Sequence, residues 1–191
     1  AGSMKLLRRY TGVVFDSSRW EGFELRPGDI VIASPPKCGT TWTQMICALL
    51  VLGKPELPAP LDTLSPWIDM VTRARKDVFA DLAAQAHRRF IKTHTPLDGI
   101  PLDPRATYIV VARHPLDMAV SLYHQGGNLN RRRIRELTGG TGSDDRPQPK
   151  PEPRPRPRPD LAHWLRQWIA SDANPVDALD SLPGVVHHLA D

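Results

Sequence analysis

Three features predict an α/β fold, a three-layer arrangement with a parallel sheet flanked by helices. Apolar, largely β-branched runs recur at Ile30-Val31-Ile32, Phe90-Ile91 and Tyr108-Ile109-Val110-Val111, and strands apolar on successive residues are those buried on both faces. Helical periodicity follows the first and third runs, the alternation expected of a parallel sheet. The 191 residues, 40% of them apolar, suffice for one domain with a core of its own, taken as 4–191.

In chain order, Leu25 to Gly53 reads as a turn at Pro27-Gly28, a strand, a small-residue loop and a long apolar helix stopped by Gly53. Lys54 to Pro60 is a proline-rich connection. Val71 to His87 is predicted to form one or two amphipathic helices with Val71, Ala74, Val78 and Leu82 on one face. The second strand starts near Arg89 and the third at Tyr108, and a helix follows from Pro115, a residue suited to a first helical turn. From Asn128 come an arginine-rich helix end, a Gly-Thr-Gly-Ser-Asp-Asp cluster and prolines at every second position from Pro147 to Pro159. Alternate residues there lack an amide hydrogen, so 139–159 is expected to be a polyproline II or disordered loop inside the domain. Helix resumes behind Asp160 as N-cap, and another amphipathic helix starts at Leu182.

Composition excludes several classes. Two cysteines, Cys38 and Cys47, exclude a disulfide framework and any multi-cysteine metal centre, and they fit a reducing, cytoplasmic setting. No metal site is expected, because no histidine pair has carboxylates at ligand spacing. Met45 to Gly53, the longest apolar run, is too short to span a bilayer. Ala1 to Met4 reads as a remnant of cloning with no signal-peptide core behind it. Lys+Arg 25 against Asp+Glu 21 gives +4, an excess concentrated between Arg131 and Arg158. That basic stretch could suit a polyanion, an SH3-like groove or a nucleic acid. It lacks interleaved aromatic residues for base stacking, so a flexible loop and no nucleic-acid partner are expected.

The loop Pro35-Pro36-Lys37-Cys38-Gly39-Thr40-Thr41-Trp42 lies between a strand and a helix start, where free backbone amides and the helix dipole favour an anion. Gly39 permits close backbone approach, Thr40 and Thr41 add hydroxyl donors, and Lys37 adds a mobile charge. The loop is P-loop-like in chemistry but not in spacing, since the lysine precedes the only glycine, unlike GxxxxGK[ST]. An ordinary loop with a solvated lysine is the alternative.

PPKCGTTW resembles the 5′-phosphosulfate loop, usually PKSGTTW, of sulfotransferases that use 3′-phosphoadenosine 5′-phosphosulfate, with Cys38 in place of serine. Phe90 to Leu97, FIKTHTPL, is similar to the family's KTHLP segment, and Tyr108 to His124 to its 3′-phosphate segment, with Arg113 and Ser121 eight apart. The resemblance covers roughly residues 20 to 128. SPWID and FIKTHTPLDG bring it nearest to bacterial, mycobacterial-type enzymes acting on glycolipids and other small hydroxyl compounds.

The resemblance implies site residues. Lys37, Gly39, Thr40 and Thr41, with the Cys38 position between them, would hold the 5′-phosphosulfate, and Trp42 would lie against the adenine. Lys37 and Lys92 would neutralise the leaving and transferring groups, Arg113 and Ser121 would bind the 3′-phosphate, and His94 would be the general base. His87, His114, His124, His163, His187 and His188 carry no comparable case. Leu64, Pro66, Trp67, Ile68, Met70 and Tyr123 favour a largely apolar hydroxyl acceptor over a charged polysaccharide. The family's RKGxxGDW-type segment has no counterpart in these residues, which leaves nucleotide binding without turnover as the alternative function. A P-loop kinase is disfavoured by the missing GxxxxGK[ST] loop, and a homo-oligomer is compatible with everything above.

Overall fold

The computed structural model describes residues 8–126 and 159–190. The arginine-rich helix end and all but the last residue of the Pro/Arg segment lie outside them. Three parallel strands, β1 (Ile30–Ala33), β2 (Phe90–Thr93) and β3 (Thr107–Val110), form a sheet in the order β2-β1-β3. Ile30 is in register with Phe90 on one side and Thr107 on the other. Successive strand residues point to opposite faces, and each face has its own cover. Ile30, Ile32 and Phe90 pack with Cys47 and Ala48 of α1 (Thr40–Leu52) and Leu64 of the short α2 (Leu61–Leu64). Val31 and Ile91 pack on the other face with Trp20, Ile68 and Ile100 and with Val78 and Leu82 of α3 (Arg75–Ala84). The predicted three layers are therefore present. Burying each such aliphatic side chain contributes about 1.5 to 3 kcal/mol before ordering costs.

A third cluster joins Met118 and Ala119 of α4 (Pro115–Gly126), Trp168 of α5 (Leu161–Ile169) and Val185 of α6 (Leu182–Ala190). Asp160 caps α5 by accepting from the His163 amide at 3.0 Å, as the sequence predicts.

The helix predicted from Val71 begins instead at Arg75, and Ala74 is extended and exposed. Strand-like pairing prevails before it. The Asp16 amide donates to the Asp69 carbonyl at 2.9 Å and the Val71 amide to the Val14 carbonyl at 3.0 Å, so backbone bonds that a helix would use internally go to the N-terminal segment. Val78 and Leu82 keep their predicted core positions.

At the amino ends of β1 and β2, Arg89 and Asp29 form a buried ion pair, 3% and 2% exposed. Arg89 also donates to the Glu24 carbonyl at 3.0 Å and lies over the Phe23 ring, and the Arg26 amide donates to Asp29 at 2.7 Å. A buried pair so fully hydrogen-bonded tolerates loss of neither partner.

Candidate functional site

The predicted site residues leave the carboxyl ends of the strands, where open parallel sheets bind ligands. Beyond β1 the chain passes Ser34 and turns through two left-handed residues, Lys37 at φ 66° and Gly39 at φ 97°, into α1. Glycine adopts that conformation freely, whereas lysine pays about 1 to 2 kcal/mol. Such strain is characteristic of ligand loops. No side chain caps the first turn of α1, so its amides and the positive end of its dipole face outward. The Thr40 hydroxyl is anchored 2.5 Å from that of Ser34.

Lys92 is the half-buried third residue of β2, His94 follows the strand, and Arg113 lies three residues past β3. A cleft of about 1550 Å³ brings Lys37, Gly39, Thr40, Thr41, Trp42, Lys92, His94, Arg113 and Ser121 to one wall system. Among the described residues no acidic side chain forms an ion pair with Lys37, Lys92 or Arg113. Arg113 is held instead by the Lys37 carbonyl at 3.4 Å. Cys38 is the exception among the expected nucleotide-binding positions. Its side chain, 3% exposed, packs with Met118 and Val185 under the loop, and burial pushes its thiol pKa up, the reverse of an activated thiolate.

His94 is buried with Nδ1 2.7 Å from the Ser34 carbonyl. A carbonyl only accepts, so Nδ1 carries the proton and Nε2 keeps its lone pair. Burial first, then the Lys92 charge, lowers the His94 pKa to about 3, while the Ser34 carbonyl opposes them. The imidazole is therefore neutral at physiological pH. Burial also lowers the Lys92 pKa, opposed by the charge of Asp69 and reinforced by that of Lys37.

The far part of the cleft is lined by Val13, Val14, Phe15, Trp67, Met70 and Leu179, with Asp177 and Asp180 at the rim. Pro66, Trp67 and Met70, expected near an acceptor, line this cleft. Leu64 and Ile68 do not, because the sheet core takes them. Tyr123 lies apart too, its hydroxyl donating to the Pro159 carbonyl at 2.9 Å. Sequence reasoning missed Asp69, Gln44 and Ser65. Gln44 is buried and donates to the Ser65 carbonyl at 2.8 Å, and a lone glutamine in an apolar helix gives no signal of that.

The family model described as the sulfotransferase domain matches residues 27–155. This chain belongs to the sulfotransferase domain family. Over 128 residues the sulfotransferase domain is 52% identical to the glycolipid sulfotransferase of Mycobacterium tuberculosis, covering 67% of the chain and 39% of that relative. It is 29% identical over 132 residues to sulfotransferase 1B1 of Canis lupus familiaris, covering 64% of the chain and 45% of that relative. The chain thus spans about two fifths of the length of the curated relatives it matches. Mouse sulfotransferase SULT7A1, solved in complex with PAP, superposes with a TM-score of 0.54 at 21% identity, covering 97% of this chain and 59% of that one. The fold is shared with it. No helix among the described residues is long and apolar enough to cross a membrane.

Proposed function

We propose that this domain transfers a sulfuryl group from 3′-phosphoadenosine 5′-phosphosulfate to a hydroxyl of a small or glycolipid acceptor. The observation that carries the reading is one cleft holding three cations without ion pairs among the described residues, an uncapped helix start and a neutral buried histidine. The α1 amides, Lys37, Thr40 and Thr41 suit the 5′-phosphosulfate. Arg113 and Ser121 suit the 3′-phosphate, which a guanidinium can grip bidentately. Trp42, 79% exposed at the cleft, offers its face to the adenine.

In the reaction, Nε2 of His94 takes the acceptor hydroxyl's proton as that oxygen bonds to sulfur. The bond from sulfur to the bridging phosphate oxygen breaks, its electron pair leaving with 3′-phosphoadenosine 5′-phosphate. Lys37 and Lys92 offset charge on the leaving and transferring oxygens, so positioning and electrostatics supply most of the catalysis, as in phosphoryl transfer. The anionic donor also raises the proton affinity of His94 when the base must act.

The apolar far wall favours an acceptor rich in carbon, in keeping with the name of the mycobacterial relative. Cys38 and Cys47, both free and buried, support a cytoplasmic setting. The second reading is nucleotide binding without turnover.

Radiolabelled sulfuryl transfer to phenols, hydroxylated lipids, trehalose-type glycolipids and heparan-like oligosaccharides, at two salt concentrations, tests the proposal. Transfer to the uncharged acceptors with little salt dependence is expected. Nucleotide binding with no transfer would establish the second reading, and transfer only to the charged oligosaccharide, abolished by salt, would overturn the acceptor class.

A further inference from the structure

Asp69 is fully buried, and every group around its carboxylate donates to it. Oδ1 accepts from the Trp20 indole. Oδ2 accepts from the Trp67 indole at 3.1 Å, the Thr93 hydroxyl, the Thr95 hydroxyl at 3.1 Å and the His94 amide at 3.3 Å. The Thr93 hydroxyl in turn accepts from the Thr95 amide at 2.9 Å, which orients it toward Asp69. No cation forms an ion pair with this carboxylate among the described residues. A buried carboxylate held by neutral donors alone is an expensive way to staple a loop, and what it holds explains the expense.

The Trp67 indole contacts both groups that the sulfuryl-transfer reading makes catalytic. Lys92 Nζ lies 5.0 Å from its ring centroid, and the His94 ring meets it edge-on at 4.8 Å and 76°. The backbone is bonded at the same place: the Lys92 amide donates to the Pro66 carbonyl at 3.2 Å, and the Ile68 amide to the Lys92 carbonyl at 3.3 Å. One carboxylate thus grips the indole that touches both Lys92 and His94, the residue after Lys92 and the amide of His94 itself.

We propose that Asp69 is a positioning residue that sets the placement of Lys92 and His94 relative to each other, through the Trp67 indole and the Thr93–Thr95 backbone. The inference rests on the sulfuryl-transfer reading for its consequence in turnover, but not for the geometry it asserts. Its charge acts in the same direction, because Asp69 supports the Lys92 ammonium against the burial that lowers the Lys92 pKa. Burial raises the pKa of Asp69 itself, and its side-chain donors oppose the rise.

The test compares the full chain with its Asp69→Asn and Trp67→Phe variants. Three quantities are measured: affinity for 3′-phosphoadenosine 5′-phosphate by calorimetry, the Lys92 titration midpoint by carbon-13 NMR, and kcat and KM for sulfuryl transfer. Asp69→Asn is expected to keep nucleotide affinity within about twofold and to lower the Lys92 midpoint. Its kcat should fall about tenfold to a hundredfold with a smaller change in KM, as a displaced catalytic pair would give. Trp67→Phe cuts the indole link but keeps the charge and an aromatic ring, so a smaller fall in kcat with a near-native Lys92 midpoint is expected. A merely structural carboxylate would lower the melting temperature and leave kcat and the Lys92 midpoint unchanged, which would overturn the proposal. If Asp69→Asn does not fold, wild-type kcat and unshifted His94 ring resonances in Trp67→Phe overturn it equally. If the wild-type chain transfers nothing, the sulfuryl-transfer reading fails, and the Lys92 midpoint and His94 resonances still decide the placement role.

Discussion

Arg89 and Arg113 flank the same parallel sheet at opposite ends, and their surroundings differ in every electrostatic respect. Arg89, at the amino end of β2, is 3% exposed and paired with a carboxylate that is itself hydrogen-bonded. Arg113, past the carboxyl end of β3, is exposed, and its guanidinium donates to the Lys37 carbonyl at 3.4 Å. The amino end spends its charge on holding the fold, and a buried pair there has nothing left to offer a ligand. The carboxyl end keeps Lys37, Lys92 and Arg113 without an ion pair among the described residues, beside a strained loop and an uncapped helix, so its charge is available to an anion. Two regions built from the same residue types thus separate stability from binding.

The largest expected effect breaks the stability end. Arg89→Met leaves Asp29 buried without its cation and is expected to cost about 3 to 5 kcal/mol of folding stability in urea denaturation, with nucleotide affinity of the folded fraction unchanged. A variant as stable as wild type would remove the distinction between the two ends. Next in size, His94→Ala is expected to lower turnover by roughly 10² to 10⁴ with nucleotide affinity near wild type, because a general base acts in the transition state. Steady-state kinetics beside calorimetry reads both, and wild-type turnover would take His94 out of the mechanism. Arg113→Ala is expected to weaken binding of 3′-phosphoadenosine 5′-phosphate by about 2 to 3 kcal/mol and to leave 5′-AMP binding little changed. Equal losses for the two nucleotides would make Arg113 a structural residue like Arg89.

The smallest step is in pH. Burial lowers the pKa of His94 to about 3 and of His188 to about 4, against about 6.5 in the unfolded chain. Below about pH 6.5 the unfolded state therefore binds protons that the folded state refuses. Stability should fall by about 1.4 kcal/mol per pH unit for each histidine as pH drops towards those folded values. Asp69, whose pKa burial raises, acts in the opposite sense. Urea midpoints at about pH 7 and about pH 5.5 check the sign, and a flat profile would contradict the buried neutral histidines.

The binding end was more legible in the sequence than the residues that position it. Lys37, Gly39, Thr40 and Thr41 lie within one loop whose strand and helix are locally encoded by Ile30-Val31-Ile32 and by the apolar run ending at Gly53. Asp69 closes the SPWID phrase, but no local pattern shows what its carboxylate holds. Its donors come from Trp20, Trp67, Thr93, His94 and Thr95, and only the pairing of distant segments brings them together. The start of α3 was misplaced for the same reason, since the backbone partners of Asp69 and Val71 lie more than fifty residues earlier in the chain. His188 offered no sequence motif, yet packing of α6 buries it to 3% exposure.

The central claim is that the carboxyl ends of the three strands form a site for a nucleotide carrying a 3′-phosphate. Calorimetry of the wild-type chain with 3′-phosphoadenosine 5′-phosphate, 5′-AMP and ATP with magnesium tests it most directly. The account predicts that the first binds about thirtyfold to a hundredfold more tightly than 5′-AMP, the worth of one charge-assisted bidentate contact, and more tightly than ATP. Equal affinity for 3′-phosphoadenosine 5′-phosphate and 5′-AMP, or preference for ATP with magnesium, would contradict it.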